Sequence, residues 1–462
     1  MDKREAYHKQ MTETSIAPLI IKLGIPTTIS MLITNVYNLV DTYFVGTLGV
    51  AQQGATGILF TLQAILQAVA FGLGHGAATH MTKHLALKNK KEAEAFGSNA
   101  FYLGLAIGVL MLGAGLLFLE PLMLLLGSSD TILPYARDYG FWVLISGPFF
   151  VTSLVLNVYL RYEGKATFAM IGIVSGALLN VLGDFIFISV LGMGVFGAGL
   201  STAISQIVSF VIILAFYLKV GQVGLRVRSI TFKWSYFANI FVAGLPSMLR
   251  QGLASLSGGI LNNLTKPFGD AAVAAMAVVN RYSNFVMCIG LGIGQGLQPV
   301  AAYNYAVKEY GRVRKGIYFT VGFSTAVVGV VSTLTLIFPS FIVSWFNSNE
   351  EVIRLGTIAL RYAAISLFFN PLGAVANMSL QSVRKSGISS FLSALRCGLA
   401  FIPIIFLFVY AFQMGFEGIA WSQPAAEMLT FVISLPFLLH FTLQLNRLER
   451  ERKEAEALPE EE

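Results

Sequence analysis

Charged residues are scarce in this sequence. Only 12% of its 462 residues are Asp, Glu, Lys or Arg, whereas soluble domains carry roughly 25%. Hydrophobic residues make up 55%, and the mean hydropathy is +0.71. Apolar stretches close to the ~20 residues that cross a bilayer as a helix recur along the whole chain. The composition excludes an ordinary water-soluble domain and predicts an all-α integral membrane protein.

Cysteines and catalytic motifs are also scarce. The two cysteines, Cys288 and Cys397, each lie in an apolar run, which argues against a disulfide framework. No GxxxxGK[ST] loop, Ser/His/Asp arrangement or haem motif is found. The histidines His75, His80 and His84 lack a matching carboxylate or cysteine set for a metal site. We therefore expect no enzymatic activity, no ATP-driven transport and no cofactor beyond a coupling ion.

Hydropathy predicts twelve transmembrane helices. The predicted spans lie near residues 16–44, 51–80, 96–118, 131–159, 166–189, 195–218, 236–260, 271–301, 315–338, 351–381, 386–411 and 417–443. Alternate connections between these spans are basic: 23 Lys and Arg residues lie on one side, and only Lys266 lies on the other. By the positive-inside rule, both termini are cytoplasmic and the protein is a multi-pass inner-membrane protein.

The net charge of +7 is therefore an orientation signal. It adds attraction to the anionic head groups of membrane lipids, and no nucleic-acid partner is expected.

The second half of the chain repeats the first at a constant offset. The offset that places Gly24-Ile-Pro26 on Gly244-Leu-Pro246 also places Gly72, Gly74 and Gly76 on Gly292, Gly294 and Gly296. Each half holds six helices, so the halves share one orientation in the membrane. The predicted organisation is a cytoplasmic segment at 1–15, a first lobe at 16–218, a linker at 219–235, a second lobe at 236–443 and a charged cytoplasmic tail at 444–462.

Two equivalent six-helix lobes around a central cleft are suited to alternating access. Pro26 removes a backbone hydrogen bond inside the first helix, which predicts a kink or hinge there. The two glycine series instead predict close helix packing. Two such lobes in one chain form the cleft without a partner, so we expect a functional monomer.

Two aspartates lie where the bilayer should exclude them, which is typical of an ion pathway or a charge pair. Counting a rise of ~1.5 Å per residue along each helix brings Asp41 and Asp184 to similar depth, near Tyr139, Asn180 and Thr202. Two neighbouring carboxylates at low dielectric would share a proton or a cation. Oxygen ligands suit a hard ion, so Asp41, Asn180, Asp184 and Thr202 form a candidate Na⁺ site.

Other interpretations of these polar residues stay open. Buried hydrogen bonds or Arg137 could satisfy the two acids instead. In the second half the embedded charges are mostly basic, at Arg250, Arg281, Arg361 and Arg396. Arg396 and Glu427 lie at matching depth, which predicts an ion pair. Unpaired arginines would favour a flippase of lipids or lipid-linked glycans.

Three segments carry a family resemblance: GIPTTISMLITNVYNLVDTYFVGTLG, LRYEGKATFAMIGIVSGALLNVLGDFIFI and GLPSMLRQG. Together they resemble the multidrug and toxic compound extrusion (MATE) transporters, nearest the DinF and MepA type. The resemblance implies a V-shaped pair of six-helix lobes. It also implies secondary active efflux of lipophilic, often cationic drugs in exchange for H⁺ or Na⁺.

The resemblance also assigns residues. The family's ion-coupling positions fall on Asp41, Tyr139, Asn180, Asp184 and Thr202. Candidate substrate contacts are Thr34, Tyr37, Asn38 and Asn157; the last lies too deep for the ion site. NorM-type members carry further acids on helices 7 and 8 of the second lobe. Here those helices carry Arg250 and Arg281, which favours coupling through the first lobe.

Overall fold

The computed structural model describes residues 3–457, and the regular secondary structure of this part of the chain is entirely helical, without a strand. A short helix, Lys3–Thr12, precedes twelve long helical segments. The first six are α1 Ile16–Gly46, α2 Val50–Ala86, α3 Lys90–Leu117, α4 Leu133–Tyr162, α5 Ala166–Val190 and α6 Gly194–Val220. The second six are α7 Trp234–Thr265, α8 Asp270–Ala306, α9 Tyr310–Ile337, α10 Glu350–Leu367 with Asn370–Ser382, α11 Ser386–Ala411 and α12 Gly415–Ala457.

All twelve predicted spans coincide with these segments, which confirms the twelve-helix prediction. Ten segments are long and apolar enough to cross a membrane, and α10 forms an eleventh as a pair of helices bent by 47°. The remaining segment, α7, has lower hydropathy because it carries Arg250, Gln251, Asn262 and Asn263 together with several serines.

The repeat extends to small details of the backbone. Short helices follow α3 and α9 at matching positions, Leu119–Leu125 and Pro339–Ser344. Lys88 and Lys308, which the repeat places on one another, both adopt the left-handed conformation, with φ of 59° and 64°. The two halves therefore share local geometry as well as helix number.

Contacts divide the chain into two compact units. The N-unit is Ile29–Gln251, and the C-unit combines Met1–Thr28 with Gly252–Glu462. Helices α1 and α7 thus each contribute to both units. In the N-unit, α4 packs against α2, α3 and α6 around buried Leu59, Leu62, Leu66 and Leu144. In the C-unit, α8 packs against α9 and α10.

The matched glycines allow helix backbones to approach closely, as the sequence predicts. In the N-unit, a Cβ at Gly76 would collide with the carbonyl oxygen of Ile240 on α7. In the C-unit, a Cβ at Gly296 would lie 2.6 Å from the carbonyl oxygen of Ile20 on α1. Residues Ile240 and Ile20 are themselves related by the repeat, so both units use the same close contact. Small residues at helix crossings in membranes commonly have this role.

Candidate functional site

A buried polar cluster lies in the N-unit, where α1, α4, α5 and α6 contribute one or two side chains each. Asp41 on α1 is 3% exposed, and Asp184 at the end of the regular part of α5 is fully buried. Asn180 precedes Asp184 by one turn, so the two side chains share a helix face. The predicted proximity of these residues is observed.

Tyr139 on α4 connects α1 to α6. Its hydroxyl lies 3.2 Å from both Asp41 carboxylate oxygens and 3.1 Å from the Thr202 hydroxyl. A phenol has one proton to donate, so the two Asp41 oxygens share a single donor. Tyr139 is itself buried, which shields this hydrogen bond from solvent.

Asn180 and Ser201 join α5 to α6. The Asn180 amide donates to the hydroxyls of Ser201 and Thr202, each at 3.3 Å, and the Ser201 hydroxyl donates to the backbone carbonyl of Asn180 at 2.9 Å. Sequence reasoning missed Ser201. Its position next to Thr202 was the available signal, but adjacent helical residues do not normally face the same way.

The cluster has more acceptors than donors. Both carboxylate oxygens of Asp184 and the side-chain oxygen of Asn180 are buried and make no hydrogen bond of ordinary geometry within residues 3–457. The Ser201 hydroxyl lies near Asp184 but donates to the backbone carbonyl of Asn180 instead. Asp41 and Asp184 are close enough to interact electrostatically. Arg137 does not neutralise them, because it pairs with Glu120 at 3.4 Å on an exposed surface. A proton or a cation bound here would satisfy oxygens that the surrounding protein leaves without a donor.

The remaining predicted residues lie in different places. Thr34 and Tyr37 are half-buried on α1, as is Asn38, and Tyr37 is near enough to interact with both Asp41 and Asp184. Pro26 lies inside the unbroken helix α1, within the part that belongs to the C-unit.

Asn157 makes no observed hydrogen bond with the residues of the cluster. Its amide donates to the backbone carbonyl of Ala169 at 3.1 Å and thereby connects α4 to α5. The repeat-related Asn377 donates to the carbonyl of Ser389 at 2.6 Å. A contact preserved between the halves favours a structural role, and the predicted substrate contact of Asn157 stays a prediction.

The C-unit has a different kind of polar centre. Arg396 donates from Nε to Glu427 at 3.1 Å, which confirms the predicted ion pair, and the Asn370 amide reaches the other carboxylate oxygen at 3.3 Å. The positions related by the repeat to Asp41, Tyr139 and Asp184 are Leu261, Ala359 and Ile404. The acidic cluster is therefore specific to the N-unit within the described part of the chain.

Comparisons with known proteins agree with the division of the sequence into two repeated halves. The MatE family model matches residues 26–186 and 246–407, two segments that begin at the matched prolines of the repeat. The chain is 27% identical to the multidrug export protein MepA of Staphylococcus haemolyticus, covering 94% of this chain and 95% of the relative. It is 26% identical to MepA of Staphylococcus aureus strain MSSA476, covering 88% and 90%.

The fold also matches solved structures. An outward-facing multidrug resistance MATE family transporter of the MOP superfamily superposes with a TM-score of 0.87 at 24% identity, covering 96% of this chain and 98% of the other. At this identity the structural match supports the fold.

Proposed function

From the premise that the chain belongs to the MatE family, we propose that it is a secondary active multidrug exporter, which exchanges lipophilic cationic compounds for H⁺ or Na⁺ by alternating access. The MepA relatives, which align over most of the chain, are multidrug export proteins by name. The helices long enough to cross a membrane are consistent with such a role. Export of this kind needs a site whose charge changes during the cycle.

The acidic cluster of the N-unit is that site. The observation that carries the proposal is the excess of acceptor oxygens on Asp184 and Asn180 beside a second carboxylate, Asp41. Two unit charges ~5 Å apart repel by roughly 3 kcal/mol at an effective dielectric constant of 20. One proton or one Na⁺ removes that repulsion. A cationic drug would compete with the coupling ion for the same negative charge.

Helix α1 connects this chemistry to a conformational change. It carries Asp41, Tyr37 and Asn38 in the N-unit and Pro26 in the C-unit. Neutralising Asp41 weakens the attraction between α1 and a bound cation, and a bend at Pro26 would let the rest of α1 respond. We place the protein in the cytoplasmic membrane with both termini inside, because the basic connections lie on that side, and we expect it to act as a monomer.

The test is ethidium efflux from cells that express Asp41→Asn or Asp184→Asn protein. Asparagine keeps the shape of the side chain but removes the exchangeable charge, so we expect efflux to fall at least tenfold at equal membrane levels. Asp138→Asn is the matched control, since Asp138 is exposed beside Tyr139 on α4. Undiminished efflux in both cluster variants would rule out coupling at this site.

Proteoliposomes then identify the ion. Wild-type protein is given an imposed pH gradient, an imposed Na⁺ gradient, or neither, and ethidium transport is followed. The gradient that drives transport in the wild type and fails to drive it in Asp184→Asn identifies the coupling ion.

A second candidate, lipid or lipid-linked glycan flipping, is favoured by one observation. Arg281 on α8 and Arg361 on α10 are exposed, and neither forms an ion pair within residues 3–457. Exposed arginines in membrane helices usually face water or an anionic group. If flipping is the function, Arg281→Glu abolishes transport activity and Asp41→Asn retains it. Loss of activity in Asp41→Asn with activity retained in Arg281→Glu supports drug efflux.

A further inference from the structure

The C-unit contains a cavity that the proposed exchange site does not use. The cavity is open to the outside, and the space that its wall encloses is small. Helices α8, α10 and α12 form its wall. Small-molecule sites are typically concave and mostly apolar, with a few polar groups that fix orientation. The apolar part of this wall includes Met276 and Met287, flexible and polarisable side chains that adapt to ligands of different shape.

The polar part of the wall consists mainly of uncharged groups. Asn284, Asn370 and Gln423 present primary amides, and Ser283 presents a hydroxyl. The Ser283 hydroxyl is buried and has no hydrogen-bond partner in residues 3–457. Asn284 is exposed, so a ligand has access to the cavity past this residue. Amides and hydroxyls both donate and accept, and they can bind neutral groups of either kind.

The cavity lies at a break in a membrane helix. Leu367 ends the first segment of α10 and Asn370 begins the second, the axis bends by 47° between them, and both residues line the cavity. Transporter ligands commonly bind where a membrane helix is discontinuous, since irregular backbone is tolerated there only beside a cavity. The repeat-related helix α4 is unbroken, so the N-unit has no counterpart of this break at the matching position.

The charge that the described residues contribute to this wall is already neutralised. Glu427 lines the cavity, but its carboxylate accepts hydrogen bonds from Arg396 and Asn370. The Arg396 side chain is only 10% exposed and contacts the Met287 sulfur. A ligand cation that displaced Arg396 would leave a buried guanidinium unpaired, which is strongly unfavourable. A monovalent cation therefore gains no net countercharge here, in contrast to the acidic N-unit cluster.

We propose that this cavity is a second ligand site, specific for uncharged amphipathic molecules that carry amide or hydroxyl groups. This proposal rests on the proposed efflux function and extends it. The N-unit cluster binds cationic groups, and the C-unit cavity binds neutral ones. Met276 and Met287 contact the apolar part of the ligand, and Asn284, Gln423 and Ser283 bind its polar groups.

Direct binding to the purified full-length protein in detergent tests the proposal. The neutral probe is radiolabelled chloramphenicol, an uncharged amide with two hydroxyls, measured by equilibrium dialysis; the cationic probe is ethidium, measured by fluorescence anisotropy. The variant Gln423→Leu with Asn284→Leu removes two amides at similar side-chain volume. Each lost hydrogen bond weakens binding by a few-fold to about tenfold, so chloramphenicol binding should weaken at least tenfold while ethidium binding stays within twofold.

Gln53→Leu, which removes an exposed amide of the N-unit, is the matched control and should bind both probes like the wild type. The proposal is overturned if chloramphenicol does not bind saturably to the wild type, if the double variant binds it normally, or if both probes weaken equally. Should the double variant melt abnormally, the exposed-position variant Asn284→Leu alone is decisive, with an expected weakening of about threefold for chloramphenicol. Failure of the efflux proposal would be seen in a separate experiment, as ethidium efflux that is the same in the Asp41→Asn variant and in the wild type.

Discussion

The N-unit and the C-unit share their packing but differ in their polar chemistry. Gly76 and Gly296 allow the same helix contact, and Asn157 and Asn377 donate the same inter-helix hydrogen bond. By contrast, Asp41 is matched by an apolar residue in the second half, and so is Asp184. Contacts that hold the helices together are alike in the two units, whereas the polar centres differ. A position that matches across the repeat is therefore better explained by folding than by ligand binding.

The largest expected effect comes from breaking the C-unit ion pair. Arg396→Leu leaves the buried Glu427 carboxylate without its charged partner, and removing one member of a buried pair costs about 3–5 kcal/mol. Adding Glu427→Leu should recover most of that loss, because no isolated charge remains. Equilibrium unfolding in mixed micelles measures both variants. If Arg396→Leu is as stable as the double variant, Arg396 does not neutralise Glu427 in the way described above.

The shared glycine contact gives the next effect. Alanine at Gly76 places a methyl group against the Ile240 carbonyl, and such overpacking costs typically about 1–3 kcal/mol. Gly296→Ala should cost a similar amount if the two units are equivalent in packing. Gly57→Ala on the same helix as Gly76 is the control. It has open space at Cβ, so it should be neutral or stabilising. Unequal losses of unfolding free energy in Gly76→Ala and Gly296→Ala would show that the two units are not equivalent in packing.

A pH dependence should distinguish the two units. Glu163 follows α4 and accepts hydrogen bonds from the backbone N–H groups of Gln222 and Val223 and from the Tyr217 hydroxyl. Burial raises the pKa of the Glu163 carboxyl to about 7, although these donors partly offset the effect. The repeat-related residue is Val383, which does not titrate.

At a pH between the ordinary pKa of a glutamate and about 7, Glu163 is therefore protonated in the folded state and ionised in the unfolded chain. Its contribution to stability is greatest at low pH and is lost as the pH rises through the folded-state pKa of about 7. Between pH 6 and 8 the loss amounts to about 1.4 kcal/mol. The difference in unfolding free energy between wild type and Glu163→Gln, measured across that range, should show this slope. Equal slopes in the two proteins would contradict it.

The smallest effect concerns Asn157. Asn157→Ala removes one inter-helix hydrogen bond, and we expect about 1 kcal/mol of destabilisation. Asn377→Ala should be at least as costly, because that amide also reaches Ser393 at 2.8 Å. Ethidium efflux per folded molecule should be unchanged in Asn157→Ala. Reduced efflux at normal stability would instead support the predicted substrate contact.

Much of this arrangement could be predicted from the sequence. Hydropathy predicted all twelve helices, and the constant offset between the halves related their contacts. Counting residues from the helix ends was enough to bring Asp41 near Tyr139 and Arg396 near Glu427, because a helix converts sequence distance into depth.

The break in α10 was not predicted, because the presence of a proline does not by itself decide whether a helix is interrupted. Pro148 lies inside the continuous helix α4, while Pro371 is the second residue of the new segment that starts at Asn370. Whether a proline bends or breaks a helix depends on which neighbours satisfy the freed backbone groups. The donor shortage at Asp184 was equally hidden, since it depends on the directions of side chains from three other helices.

The glycine contact has a consequence for how the two halves of the chain depend on one another. The groove at Gly72 and Gly76 is filled by the start of α7, from the second half of the sequence, and the groove at Gly292 and Gly296 is filled by the start of α1, from the first half. A protein with only one half would leave its groove empty. Each half of the sequence thus supplies the leading helix that fills the groove of the other half, and the two halves complete one another within a single chain.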